Sequence, residues 1–270
     1  IIDSFRESRR KGKIEMEDIA PLMYIKYMVH GIKTKFELKH IVIDEAQDFS
    51  EFQFYIFKKI VKSSSLTILG DLAQGIYYYR GTENWQKTMS IVFDEQIEPQ
   101  YLTLKKTYRT TEEIMNVANK VISHLIEKLN CSLGEPVMKN GAPVTIKEFE
   151  NREDMVNRIK ERLKEFKENG LKNIALICKT VEDCEILKKE LCIDEIHVIS
   201  DSDSEYAGGI SIVPSYLSKG LEFDSVIITD TDTNNYSKSE VDTKLLYVCI
   251  TRAMSILDIY HVEPLTELLK

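Results

Sequence analysis

The chain has 270 residues, 43% of them hydrophobic and 30% charged, and a formal net charge of −8 at pH 7. That length suits two packed α/β lobes, and no apolar run approaches the ~20 residues that cross a bilayer, which excludes helical membrane spans and any membrane partner that would need them. The acidic balance excludes a global attraction to nucleic acid, so a nucleic-acid site must be a local cleft with its own Lys, Arg and aromatic groups.

The N-terminal stretch IIDSFRESRRKGK has no starting Met and no apolar signal segment, which leads to the expectation that an N-terminal part of the same polypeptide is missing upstream. Residues 16–30, EMEDIAPLMYIKYMVH with its flanking Glu15, carry apolar side chains at helical spacing, with Pro21 tolerable near a helix start and Gly31 suited to ending it. Next come the β-branched run HIVID, the helical pattern EFQFYIFKKIVK and the short apolar run LTILGD. Strand, helix and strand in about thirty residues predict a βαβ crossover with parallel strands. Asp44, Glu45 and Asp71 would then share the edge formed by the strand C-termini, where open α/β sheets bind ligands.

A second series begins near residue 100. YLTL reads as a strand, and TTEEIMNVANKVISHLIEKL as a long helix opened by a capping box from Thr110 to Glu113. After the Gly/Pro-containing stretch 132–143 follow the strand VTIKEF, the helix REDMVNRIKERLKEFKENG, the strand NIALIC and the helix VEDCEILKKEL. The strands IHVIS, GISIV and SVIITD, the helix DTKLLYVCITRA and the strand ILDIYHV complete it. The expected architecture is two doubly wound α/β lobes with parallel sheets, divided as residues 1–95 and 96–270. Five cysteines, Cys131, Cys178, Cys184, Cys192 and Cys249, form no CxxC pair, so reduced buried thiols in a cytoplasmic setting are expected rather than disulfides or a zinc site.

The carboxylates at the first strand end suit nucleotide hydrolysis. Such chemistry needs one carboxylate to hold Mg²⁺ through its water shell and another to polarise the attacking water, roles that fit Asp44 and Glu45. Gln74, three residues beyond Asp71, is an amide able to sense a γ-phosphate or that water. In YYYRGTENW the three tyrosines cannot all face one core, and aromatic faces beside Arg80 make a platform for stacked bases. Arg109 stands just before a helix start and Arg252 closes one. Two arginines brought towards the acidic edge would clamp a transferring phosphoryl group. Gly220, in SKGLEF, allows close approach of backbone to a ligand.

In order, VIDEAQD, LGDLAQGIYYYRG, LKKTYRTTEEI, SKGLEF and LLYVCITRA resemble motifs II to VI of the superfamily 1 helicases of the UvrD/Rep type. The resemblance runs from about residue 38 to residue 262. It implies a P-loop NTPase fold of RecA-like lobes: residues 1–95 are the C-terminal part of a first lobe and residues 96–270 a complete second lobe, with ATP between them and single-stranded DNA across the top. By resemblance, Asp44 holds Mg²⁺ and Glu45 is the catalytic base. Gln74, Arg109 and Arg252 touch the γ-phosphate, Tyr108 stacks on adenine, and Gly220 and Glu222 lie near the ribose and phosphates. Tyr77 and Tyr79, with Arg80 beside them, stack on DNA bases.

The sequence also departs from that pattern. It contains no G-x-x-x-x-G-K-[ST] loop to cradle phosphates, so the isolated 270 residues are expected to be inactive. Only 110 positions separate Arg109 from Lys219, where DNA-unwinding members insert a large subdomain, and the usual Thr and His of motif V fall on Pro214 and Tyr216. The motif V departures, together with GDLAQGIY, resemble the HelD branch, whose members act on RNA polymerase. Three functions therefore stay open: an ATP-dependent DNA helicase or translocase, a HelD-like ATPase that recycles RNA polymerase, and a degenerate module that binds a partner and hydrolyses nothing.

Overall fold

The computed structural model describes residues 10–31, 38–60, 65–77, 80–93, 98–137, 140–201, 203 and 208–270. The chain forms two compact units, residues 1–102 and residues 103–270.

In the first unit, helix α1 (Met16–His30) ends at Gly31, whose N–H returns to the carbonyl of Tyr27 and whose φ of 68° suits glycine. Strands β1 (Ile41–Ile43) and β2 (Leu66–Ile68) pair in parallel, with Ile43 opposite Ile68, and helix α2 (Glu51–Ile60) makes the crossover. Helix α3 (Trp85–Val92) is capped by the Asn84 side chain, whose Oδ1 accepts from the N–H groups of Gln86 and Lys87. Ile43, Ala46, Phe54 and Val92 meet in a small core, with Phe49, Phe57 and Trp85 packed around it.

The second unit is larger. A short parallel pair, β3 (Lys106–Thr107) and β4 (Glu135–Pro136), accompanies helices α4 (Glu112–Ile122) and α5 (Ile126–Leu129). The remaining elements are β5 (Thr145–Glu148), α6 (Arg152–Glu168), β6 (Asn173–Cys178), α7 (Val181–Leu191), β7 (His197–Val198), β8 (Gly209–Pro214), β9 (Phe223–Ile228), α8 (Glu240–Ile250) and β10 (Ala253–His261). Their six strands form one all-parallel sheet in the order β5-β10-β9-β6-β8-β7. The α/β class with parallel sheets is as the sequence predicts.

The physical cause is legible in α6, where Met155, Ile159, Leu163 and Phe166 recur at helical spacing and are all buried against the sheet. Each such side chain stabilises the packing by roughly 1.5–3 kcal/mol. Central strands β6 and β9 are buried almost throughout, as strands covered by helices on both faces must be. Charge is placed at the rim of this core: Arg162 reaches the buried carboxylate of Asp258 at 2.6 Å, and Arg152 holds both Glu190 and Asp230.

Several local expectations change. YLTL, residues 101–104, is not a strand: Tyr101, Leu102 and Leu104 are exposed, and the pairing falls on Lys106–Thr107. Without a partner strand, an apolar run has no ladder to join. The long helix predicted over 110–129 breaks into α4, a 3-10 turn at Ser123–Leu125 and α5, as the Ser123 hydroxyl donates back to the Lys120 carbonyl and tightens the chain. The capping box does not form. The cap is Thr111 rather than Thr110, with no side-chain cap bond, and the Glu113 carboxylate accepts the N–H of Gly141 instead. Of the cysteines, Cys178, Cys184 and Cys249 are buried, but Cys131 is only half-buried and Cys192 is exposed at the end of α7.

Candidate nucleotide and nucleic-acid site residues

In the first unit, β1 delivers Asp44 and Glu45 to its C-terminal end, both exposed. The Glu45 N–H donates to Asp44 Oδ1 at 2.8 Å, and Glu45 adopts the left-handed conformation, with φ 50° and ψ 37°. Such backbone is costly for a side-chain-bearing residue and is concentrated at functional sites. It turns the chain sharply into the 3-10 turn Ala46–Asp48, whose Ala46 N–H reaches back to the carbonyl of Leu69 at 2.9 Å. The ends of β1 and β2 are thereby tied together.

Asp71 opens the matching turn after β2. Its Oδ1 accepts the N–H of Ala73 at 2.9 Å and its Oδ2 the Gln74 side-chain amide at 2.8 Å. Gln74 is half-buried, held by the carboxylate three residues before it. Beyond it the Arg80 guanidinium lies over the Tyr77 ring, 4.4 Å from its centre, and within 4.0 Å of Glu17. A cation packed on an aromatic face is the kind of platform that stacks bases. Tyr79 lies outside the described residues.

The second unit gathers the other sequence-predicted residues. Tyr108 presents a ring that is 73% exposed. Its neighbour Arg109 pairs with Glu222, Nη2 to Oε1, at 2.7 Å. Gly220, at φ 82°, occupies a left-handed position where a Cβ would meet nothing within 4 Å, so conformation rather than space calls for glycine there. Arg252 is not a surface group. It is 2% exposed, with Nε on the Val248 carbonyl at 3.1 Å, Nη1 on the Leu221 carbonyl at 3.2 Å and Nη2 on the Thr251 hydroxyl at 3.2 Å. The Phe223 N–H donates to the Arg252 carbonyl at 3.0 Å. Segment 221–223 therefore joins Arg109 on one side to Arg252 on the other. These residues sit where β9 and β10 begin, whereas the carboxylates of the first unit sit where β1 and β2 end.

Sequence reasoning missed Gln47, which is 1% exposed and hydrogen-bonded to both Glu45 and Asp71. No pattern in the sequence marks it, because its second partner lies 24 positions away. Among the described residues no cluster of three or more His, Cys, Asp or Glu side chains could hold a metal by itself. The exposed Asp44 carboxylate is the kind of single ligand that suits Mg²⁺, which is usually held by one or two carboxylates together with water and substrate phosphates.

Comparison with known proteins bears on the family. Residues 28–91 match the UvrD/REP helicase N-terminal domain, and residues 102–206 and 209–257 match UvrD-like helicase C-terminal domains. The chain carries UvrD/Rep-type helicase domains. Similar proteins carry helicase names. A protein of Acanthamoeba polyphaga mimivirus named as an ATP-dependent DNA helicase is 29% identical over 251 residues, covering 82% of this chain and 34% of that protein. DNA helicase II of Haemophilus influenzae is 30% identical over 152 residues, covering 55% of this chain and 19% of its own length. A solved C-terminal domain of a possible DNA helicase from Lactobacillus plantarum is 29% identical, covering 60% of this chain and 92% of that one, with a TM-score of 0.49. The helicase domains described here thus span about a third or less of these two named relatives.

Proposed function

We propose that this chain is the part of an ATP-dependent superfamily 1 DNA helicase or translocase that activates water, senses the γ-phosphate and couples hydrolysis to movement on single-stranded DNA. The observation that carries the proposal is the placement of Asp44 and Glu45 at the end of β1, in a left-handed turn tied to the Asp71–Gln74 turn after β2.

In this proposal Glu45 orients the attacking water and accepts its proton, and Gln74 reports the presence of a γ-phosphate or that water. Mg²⁺, when bound, would neutralise charge on the phosphates, and Asp44 is the residue to hold it through its water shell. Arg109 and Arg252 would stabilise charge on the transferring phosphoryl group, Tyr108 would stack on adenine, and Gly220 and Glu222 would line the ribose and phosphates. Tyr77, Tyr79 and Arg80 would grip the bases of single-stranded DNA. The loop that cradles the phosphates is assigned to residues of the same polypeptide outside these 270. Support comes from the matching helicase domains and from relatives named DNA helicases.

The test is Glu45→Gln in the full-length protein. ATP turnover should vanish while binding of a fluorescent ATP analogue stays. Turnover at the wild-type level would sink the proposal.

A second reading, a HelD-like ATPase directed at RNA polymerase, is favoured by Pro214 and Tyr216 in motif V. Pro214 ends β8, and the Tyr216 hydroxyl donates to Asp201 Oδ2 at 2.9 Å. Turnover stimulated by core RNA polymerase and not by single-stranded DNA would select it.

A further inference from the structure

One side chain joins the Glu45 carboxylate to the loop that follows β2. Gln47 lies in the 3-10 turn Ala46–Asp48, fully enclosed. Its Nε2 donates to Glu45 Oε2 at 2.6 Å, and its Oε1 accepts the Asp71 N–H at 2.9 Å. The amide orientation follows from the partners. A backbone N–H can only donate and an ionised carboxylate only accept, so oxygen must face Asp71 and nitrogen must face Glu45. Through Asp71 Oδ2 the chain of bonds runs on to the Gln74 amide. The Gln47 main chain makes a second tie, as its carbonyl accepts the Thr82 N–H at 3.0 Å, next to a turn in which the Tyr77 carbonyl accepts from Arg80 and Gly81.

The fit around this residue is close. A Cβ built on Gly70 would stand 2.6 Å from Gln47 Oε1, and one on Gly81 would stand 2.4 Å from the Gln47 carbonyl oxygen. Two glycines of the loop are thus needed for it to close over the glutamine. An exposed carboxylate on a flexible stem has several rotamers, and one buried amide bonded to it selects among them.

We propose that Gln47 is a positioning residue that fixes the Glu45 carboxylate for its work on water and makes that placement depend on the loop carrying Gln74, Tyr77 and Arg80. This rests on the ATPase function proposed above. When Asp71 keeps its N–H on Gln47, the amide is held and Glu45 is aimed. A shift of the loop that breaks this bond frees the amide, so a nucleic acid engaged by Tyr77 and Arg80 is felt at Glu45 through one glutamine.

The experiment uses the full-length protein and measures ATP turnover with and without a single-stranded oligonucleotide, together with thermal melting. Gln47→Glu keeps an acceptor for the Asp71 N–H but sets a carboxylate against Glu45. Gln47→Met keeps the shape and loses both bonds. Both should lower kcat by roughly 10²-fold, the cost of a misplaced catalytic group. KM for ATP should stay within about threefold, because ground-state binding is untouched. Stimulation by the oligonucleotide should fall towards none. If one variant does not fold, the other carries the test. A folded variant with kcat near wild type, or one in which kcat and melting fall while KM rises well beyond threefold, overturns the proposal. Glu45→Gln run alongside separates the two failures. If Glu45→Gln is inactive and the Gln47 variants are normal, only the positioning role is lost; if Glu45→Gln is fully active, the ATPase function itself is wrong.

Discussion

Arg109 and Glu222 form an ion pair at 2.7 Å although they stand far apart in the second unit's sequence, one just before α4 and the other just before β9. Both side chains are 44% exposed, so the pair is worth little to stability. Its value is as an ordered charge beside the exposed Tyr108 ring. Arg109→Ala in the full-length protein should therefore lower ATP turnover by roughly 10³-fold or more, the scale of losing a phosphate-clamping arginine. The unfolding midpoint should barely move. Turnover close to wild type would remove Arg109 from the phosphoryl site.

The reverse is expected of Asp258. Its carboxylate is 1% exposed and accepts from Arg162 Nε at 2.6 Å and from the Tyr260 hydroxyl at 3.1 Å. Removing the carboxylate leaves the Tyr260 hydroxyl without its acceptor and Arg162 with Glu165 alone, so Asp258→Ala should destabilise the second unit by about 1–3 kcal/mol in urea unfolding. Arg162→Met combined with Asp258→Leu should recover much of that loss. A single substitution costing less than about 1 kcal/mol would show that water replaces the carboxylate.

Two glycines should respond differently to alanine. At Gly81 the new Cβ would press on the Gln47 carbonyl oxygen at 2.4 Å, an overpacking that costs about 1–3 kcal/mol. At Gly220 there is open space, and the cost is conformational, about 1 kcal/mol for a left-handed position. Gly81→Ala should accordingly disturb the turn that carries Tyr77 and Arg80, seen as weaker binding of a fluorescent single-stranded oligonucleotide, whereas Gly220→Ala should leave that binding unchanged.

Acid should weaken the second unit through carboxylates held below their ordinary range. Glu165 is lowered by the guanidinium groups of Arg158 and Arg162, and Glu113 by backbone N–H groups, its own and that of Gly141. For a carboxylate with a depressed folded pKa, the stabilisation is present above the unfolded value, about 4.3 for Glu, and is lost as pH falls through the lower folded value. Stability measured by urea unfolding should therefore decline below about pH 4. Glu165→Gln should make that decline shallower. An unchanged acid limb in Glu165→Gln would show that the arginine pair is screened by solvent.

The amino-acid sequence by itself determined the alternation of strands and helices, the parallel sheets and the position of Asp44 and Glu45 at a strand end. Those features follow from local period and chain length: β-branched runs of three to six residues, helices with apolar faces, and helical crossovers between strands that leave parallel pairing as the outcome. Tertiary structure alone decided what lies far apart in sequence. YLTL has strand composition but no neighbour to pair with, so it stays exposed. Thr110 and Glu113 have capping-box spacing, yet Gly141 offers Glu113 a backbone N–H and takes it. Arg252 stands at a helix end in the sequence, and only the fold encloses its guanidinium between the carbonyls of Val248 and Leu221. Gln47 carries no periodic signal, and its meaning depends on β2 ending beside β1 so that one amide spans Glu45 and Asp71. Pattern fixes which face a side chain takes, but a hydrogen-bond partner is chosen by register across the sheet, and register exists only once the chain has folded.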